Sequence, residues 1–192
     1  TIMSLNISPE TLLEHPHEKV AGQPVEKLIN KEIDIPGTTC SDIAVACNGA
    51  MYTKNQQGIM PQLVIKMYGE RVAYKKEMLR QKQILVDIET KIKDSPNNKE
   101  LLNLHSETVK SVTKWSNFQM VRKICLNSLY GAIGNTYFRY YKLENAEAIT
   151  LTGQVAIRWI ERKINEFLNK TLSTEGKDYV IASDTDSIYL NL

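Results

Sequence analysis

From residue 61 to residue 92 the apolar positions recur at helical spacing. Met67, Tyr74, Met78, Leu85, Ile88 and Ile92 follow at intervals of seven, four, seven, three and four. They share one stripe of a single long helix, which Pro61 opens. Asp94-Ser95-Pro96-Asn97-Asn98 breaks that helix. A second helix then runs to about Tyr130, with Leu101, His105, Thr108, Val112, Trp115, Gln119 and Arg122 or Lys123 on its stripe. Two long helices joined by a short polar turn predict an antiparallel helical hairpin. Upstream, Ile43 to Met60 reads as a β-hairpin, with Ile43-Ala44-Val45-Ala46, a turn at Asn48-Gly49, and Met51-Tyr52-Thr53. Downstream, Gly131 to Asn135 ends the second helix, and an aromatic cluster of Tyr137, Phe138, Tyr140 and Tyr141 follows. A third helix covers about Ala146 to Leu172, its inner face carrying Ile149, Gly153, Ala156, Ile160, Ile164 and Phe167. Tyr179 to Ala182 and Ile188 to Leu190 are apolar runs around a polar tip, which predicts a second hairpin. Residues 1–37 are irregular, punctuated by Pro16, Pro24 and Pro36, and Ser8-Pro9-Glu10 sets a proline at a helix N1 position.

The order of these elements predicts an α+β fold in which antiparallel β-hairpins and a long helix form the body and a two-helix arm protrudes. At 192 residues the chain is long enough to bury a core. Charge changes the picture. Pro61 to Lys123 carries 13 Lys/Arg against 7 Asp/Glu, whereas the remainder carries 11 against 15. A basic middle beside acidic ends suits an enzyme that handles phosphate esters, and equally a solvated helical surface. Cys40, Cys47 and Cys125 are odd in number and form no C-x-x-C pair, which fits buried thiols better than disulfides or zinc. His15 and His17 have no third ligand nearby. No apolar run reaches the roughly 20 residues that cross a bilayer.

The chemistry concentrates in two places. At the tip of the second hairpin, Asp184 and Asp186 stand one residue apart in Ser183-Asp184-Thr185-Asp186-Ser187. Two close carboxylates repel, and the pair is relieved by a hard cation such as Mg²⁺. On the helical arm, Arg71 and Lys75 are four apart, and Lys123, Asn127 and Tyr130 are spaced four and three, so each set shares a face. Antiparallel pairing of the helices would bring Arg71, Lys75 and Lys123 together as a phosphate clamp, with the Tyr130 ring within two turns of it. The same residues could be surface charges and a helix-capping tyrosine.

Lys123-x3-Asn127-Ser128-x-Tyr130-Gly131 and Asp184-Thr185-Asp186-Ser187 resemble motifs B and C of the family B DNA-directed DNA polymerases. Phe138-Arg139-Tyr140-Tyr141 and Gly153-Gln154 through Trp159-Ile160-Glu161-Arg162-Lys163 resemble the T-even-type bacteriophage branch. Asn6-Ile7-Ser8-Pro9-Glu10-Thr11 is similar to the segment just behind motif A, and Asn48-Gly49 to Pro61 with Arg71-x3-Lys75 is similar to the entry to the fingers. The resemblance implies a partial palm at residues 1–57 and 136–192 and a fingers hairpin at 58–135. It implies that Arg71, Lys75 and Lys123 hold the triphosphate of an incoming deoxynucleotide. Asn127 would help set the fingers face, and Tyr130 and Gly131 would line the nascent base pair. Asp186 would be the principal metal ligand and Asp184 an auxiliary one, for two Mg²⁺ ions. The partners implied are primer–template DNA and deoxynucleoside triphosphates, in the cytoplasm of a bacterial host.

Two departures stand out. The family draws a second catalytic Asp from a D-x-x-S-L-Y-P-S sequence, and this chain opens just after that point. The usual Tyr-Gly before Asp-Thr-Asp is Ala182-Ser183 here. With an opening Thr1 and an end at Leu192, shortly after the last strand begins, the chain reads as a piece of something larger. It is then expected to be inactive alone and to need complementary pieces carrying motif A and the thumb, or to self-associate. The competing readings are a degenerate, non-catalytic remnant that binds DNA or a partner, and an unrelated two-metal hydrolase.

Overall fold

The computed structural model describes residues 1–13, 24–33, 41–185 and 187–191. Asp186, His15, His17, Pro16, Pro36 and Cys40 lie outside the described residues. The elements are α1 (Ile2–Leu5), α2 (Pro24–Ile29), β1 (Ile43–Val45), β2 (Met51–Thr53), α3 (Ile59–Asp94), α4 (Lys99–Ile133), α5 (Leu143–Leu172), β3 (Val180–Asp184) and β4 (Ser187–Leu190). The fold is α+β, with two antiparallel hairpins and long helices, as the hydropathy pattern predicts. It divides into two compact units, Leu63–Ala132 and the combination of Thr1–Gln62 with Ile133–Leu192.

The unit of residues 63–132 is the helical hairpin. Its predicted stripes are the faces that pack: Met78, Ile88 and Thr108 are buried, and Met67, Tyr74, Leu85, Ile92, Leu101, Val112, Trp115 and Gln119 are half-buried. Large side chains fill the space between the helices. The Tyr74 ring lies 5.7 Å from Trp115 and 5.6 Å from Phe118, within the range of favourable aromatic pairs. Among the described residues, the ion pair of Arg122 with Glu70 near one end and the contact of His105 with Glu89, 3.5 Å apart, near the other fix the antiparallel register. The last polar position of the second stripe is therefore Arg122, and Lys123 faces solvent. Asn98 caps α4, its Oδ1 accepting from the backbone N–H groups of Glu100 and Leu101, as an N-cap asparagine does.

In the other unit the core consists of Ile7, Ala44, Ala46, Ala50, Tyr52 and Ala148, with Leu5, Leu12 and Ile149 against it. Small residues let the β1–β2 hairpin lie close on the first turns of α5. Three long-range hydrogen bonds hold it there: Tyr52 Oη to Asn145 Oδ1 at 2.9 Å, Asn48 Nδ2 to the Glu144 carbonyl, and the Cys47 N–H to Thr152 Oγ1. Burial first, and Glu144 second, push the Tyr52 hydroxyl pKa up, so it stays a neutral donor. α2 packs on the middle of α5 through Glu26, which pairs with Arg158 and Arg162. The end of α5 holds the start of β3, because Asn165 accepts from the Tyr179 N–H and donates to Asp178.

Several sequence expectations need correction. The inner face of α5 is Asn145 and Ala148 rather than the full predicted stripe, and Ile160 and Phe167 are 42% and 65% exposed. Among the described residues the partners of α5 are the first hairpin, α2 and the β3–β4 hairpin, and Ile160 and Phe167 stay exposed. Pro9 does not open a helix; it stands in a turn, because Ser8 and Glu10 turn their side chains to α3 instead. α3 accordingly starts at Ile59, two residues before Pro61. At that early position the missing proline N–H costs nothing, since the first N–H groups of a helix have no partner within it. α4 runs through Gly131 to Ile133, and α5 begins three residues earlier than Ala146.

Candidate functional site

The β3–β4 hairpin builds the acidic tip. Its strands pair Ala182 with Tyr189, Ser183 with Ile188 and Asp184 with Ser187, and Thr185 follows the last of these pairs on β3. Thr185 takes a left-handed conformation, φ 51°, as tight hairpin turns demand. Its Oγ1 donates to Asp184 Oδ1 at 2.9 Å. Asp184 thus ends β3 with its carboxylate exposed. Asp186, the principal acid of the sequence reading, lies outside the described residues. The donors at this tip are all oxygen, from a carboxylate and a hydroxyl, which is the ligand chemistry Mg²⁺ prefers. Among the described residues no three His, Cys, Asp or Glu side chains converge. One strand position back, Ser183 opens onto a cavity of about 390 Å³ lined by Glu26, Ile29, Ile157, Arg158, Glu161 and Arg162.

The basic residues belong to the helical hairpin. Arg71 follows Glu70 on α3 and Lys123 follows Arg122 on α4, and Glu70 and Arg122 are an ion pair. Arg71 and Lys123 therefore step past that pair in opposite directions along antiparallel axes, about 3 Å apart axially, with Lys75 one turn further along α3. Lys75 and Lys123 are exposed and Arg71 is half-buried. The bond to Glu70 raises the Arg122 pKa further and occupies its guanidinium. Arg71, Lys75 and Lys123 take no part in that pair. Asn127 and Tyr130 continue the Lys123 face of α4, both exposed. At Gly131 a Cβ would meet nothing within 4 Å, so the packing of this chain does not require glycine there.

Two groups escaped the sequence reading. Glu70 and Arg122 form the register-setting bridge, which the polar end of the second stripe signalled without naming its partner. Ser8 and Glu10 bond the start of α3 from about fifty positions away. Such a distant pairing leaves no periodicity to detect.

The comparisons agree with the residue motifs. The pattern of DNA polymerase family B matches residues 88–192. The DNA-directed DNA polymerase of Enterobacteria phage T4 is 37% identical over 98% of the chain, which covers 23% of that protein. That of Escherichia phage RB69 is likewise 37% identical, over 99% of the chain and 23% of its own length. The DNA polymerase of Pyramimonas orientalis virus is 28% identical over 76% of the chain and 13% of its own length. The chain thus spans about a quarter of the phage proteins it matches, 23% in each case. On the match over more than half its length and on its likeness to the phage T4 and RB69 proteins, this chain belongs to the family B DNA polymerases, in their T-even phage branch.

Proposed function

We propose that this chain supplies the nucleotide-holding helices and the acidic hairpin of a DNA-directed DNA polymerase, which extends a primer on a template by two-metal phosphoryl transfer. The observation that supports this reading is the ion pair of Glu70 with Arg122 across α3 and α4, next to which Arg71 and Lys123 follow in sequence and Lys75 one turn further. The 63–132 unit corresponds to the fingers, within 58–135, and residues 1–57 and 136–192 to parts of the palm. Arg71 offers a planar fork to phosphate oxygens, and Lys75 and Lys123 act as point charges that neutralise the triphosphate. Tyr130 presents a ring to the nascent base pair, and Gly131 leaves the adjacent space clear. Asn127 orients that face of α4. Asp186 and, in an auxiliary role, Asp184 would hold Mg²⁺, which supplies charge neutralisation at the leaving pyrophosphate and activation of the primer 3′-hydroxyl.

The remaining carboxylate and the thumb come from segments that carry motif A and the rest of the fold. Primer–template DNA and deoxynucleoside triphosphates are the partners, and a bacterial host cytoplasm is the setting. Among the described residues no helix is long and apolar enough to cross a membrane. Ala182-Ser183 in place of Tyr-Gly favours one alternative, a non-catalytic remnant that binds DNA or a protein partner.

The test is kinetic. In the polymerase assembled from this chain and the complementary segments, Arg71→Ala and Lys123→Ala should each lower kcat/KM for nucleotide by about 10²-fold, roughly 3 kcal/mol of transition-state stabilisation. Template binding without nucleotide should hold. Weakened duplex binding with unchanged nucleotide kinetics would make these residues DNA-backbone contacts instead.

A further inference from the structure

Near its end α5 carries Asn165 and Asn169, four residues apart and so on one face. Both turn their amides to the chain that leads back into β3. Asn169 engages both backbone groups of Lys177, its Nδ2 donating to the carbonyl at 2.7 Å and its Oδ1 accepting from the N–H at 3.0 Å. A neighbouring antiparallel strand would exchange the same two bonds. The same Oδ1 accepts from Thr174 Oγ1 at 2.9 Å, and that hydroxyl meets Tyr179 Oη at 2.8 Å. Asn165 Oδ1 accepts from the Tyr179 N–H at 2.9 Å, while its Nδ2 donates to Asp178 Oδ1 at 2.8 Å. Asp178 Oδ1 also accepts from the N–H of Val180, the first residue of β3, at 3.0 Å. That N–H first, and the Asn165 amide second, hold the Asp178 carboxyl below its ordinary pKa. The Tyr179 carbonyl takes the Asn191 N–H at 2.9 Å, so the end of β4 is tied to the same buried residue.

Past this root the strand is open. Ile181 through Asp184 are exposed. Ser183 stands over the cavity of about 390 Å³, which Ile157, Arg158, Glu161 and Arg162 line from α5. β3 therefore leaves a firmly bonded root and passes over open space before it reaches Asp184.

We propose that Asn165 and Asn169 are positioning residues for the acidic tip: they fix the direction in which β3 leaves α5, and with it the place where Asp184 presents its carboxylate. The inference rests on the metal-holding role proposed above, and the groups involved all belong to one compact unit. From Tyr179 to Asp184 the strand spans about 17 Å at about 3.3 Å per residue, so a swing of about 10° at the root moves the carboxylate by roughly 3 Å. Mg²⁺ takes its ligands at about 2.0–2.1 Å in near-octahedral geometry. A displacement of that size removes the carboxylate from its reach.

The experiment uses the same assembled polymerase, with Asp186→Asn as reference. Asn165→Ala and Asn169→Ala should each raise the Mg²⁺ concentration for half-maximal extension by about tenfold. At saturating Mg²⁺, KM for nucleotide and primer–template affinity should hold within about twofold. Asn165→Asp alone sets a second carboxylate against Asp178 and should behave like Asn165→Ala. Asn165→Asp combined with Asp178→Asn exchanges donor and acceptor, keeps acceptors for the Tyr179 and Val180 N–H groups, and should recover most of the loss. Hydrogen exchange should be faster at Lys177 in Asn169→Ala and at Tyr179 in Asn165→Ala, which tests the contacts apart from activity. Unchanged exchange there would overturn the proposal. If Asp186→Asn abolishes extension while the two alanine variants keep the Mg²⁺ requirement of the parent, the positioning role is overturned and the metal-holding role stands. If Asp186→Asn has no effect, that role fails and this inference falls with it. Equal losses in Mg²⁺ response, nucleotide KM and DNA affinity, unrelieved by the exchanged pair, would reduce the two asparagines to a general folding role and overturn the proposal as well. Should an alanine variant not fold, the half-buried Asn165 and exposed Asp178 carry the test through their exchange.

Discussion

A Cβ added at Gly58 would lie 2.6 Å from the Ser8 Cβ and 3.2 Å from Pro61 Cδ, whereas at Gly131 it would meet nothing within 4 Å. The two substitutions should therefore separate folding from function. Gly58→Ala forces a buried contact apart and should destabilise the chain by about 1–3 kcal/mol. Gly131→Ala lies within α4 and should stabilise it by roughly 0.5–1 kcal/mol. If Gly131 keeps space clear for the nascent base pair, the same change should also impair nucleotide incorporation. Urea unfolding of the two variants, with nucleotide kinetics in the assembled polymerase, checks both halves. A destabilised Gly131→Ala chain would mean that α4 needs its glycine for packing.

The helical hairpin is the most legible element, because its stripes recur over about six and seven turns and tertiary packing had only to bring two of them together. Met78 and Ile88, both on the predicted stripe, are 8% and 4% exposed, and Val86, off it, is 52% exposed. Ile88→Ala should then cost about 2–4 kcal/mol, and Val86→Ala about 0.5 kcal/mol or less, read from urea unfolding followed by helical circular dichroism. Equal costs would mean the stripe is not the packed face. α5 was read less well. Its apolar positions extend past the partners found among the described residues, so periodicity named a face that is buried only toward its first turns. Ser8-Pro9-Glu10 was misplaced for a related reason: proline two residues before a run of helix formers is a local signal, while the true use of Ser8 and Glu10 is the first turn of α3. Of the candidate site, the hairpin that carries Asp184 followed from its apolar flanks, and the antiparallel pairing of α3 with α4 from their stripes. The bridge from Glu70 to Arg122 did not, since a sequence shows which residues share a face but not which charges cross to a neighbour.

At the scale of the whole molecule, each sheet among the described residues has two strands, and a two-stranded sheet is marginal by itself. Around β3, β4 and α5, Ile181, Tyr189, Trp159 and Phe167 are all more than half exposed. Apolar surface of this kind is the usual mark of a face that another segment covers. The chain is expected to bind segments carrying motif A and the thumb, and alone to self-associate or remain poorly soluble. The most direct measurement is Mg²⁺-dependent primer extension by the chain alone, by the chain combined with those two segments, and by the combination carrying Asp186→Asn. The expected result is no extension from the chain alone, extension from the combination, and loss of that extension with Asp186→Asn. Extension by the chain alone, or extension by the combination that survives Asp186→Asn, would contradict it.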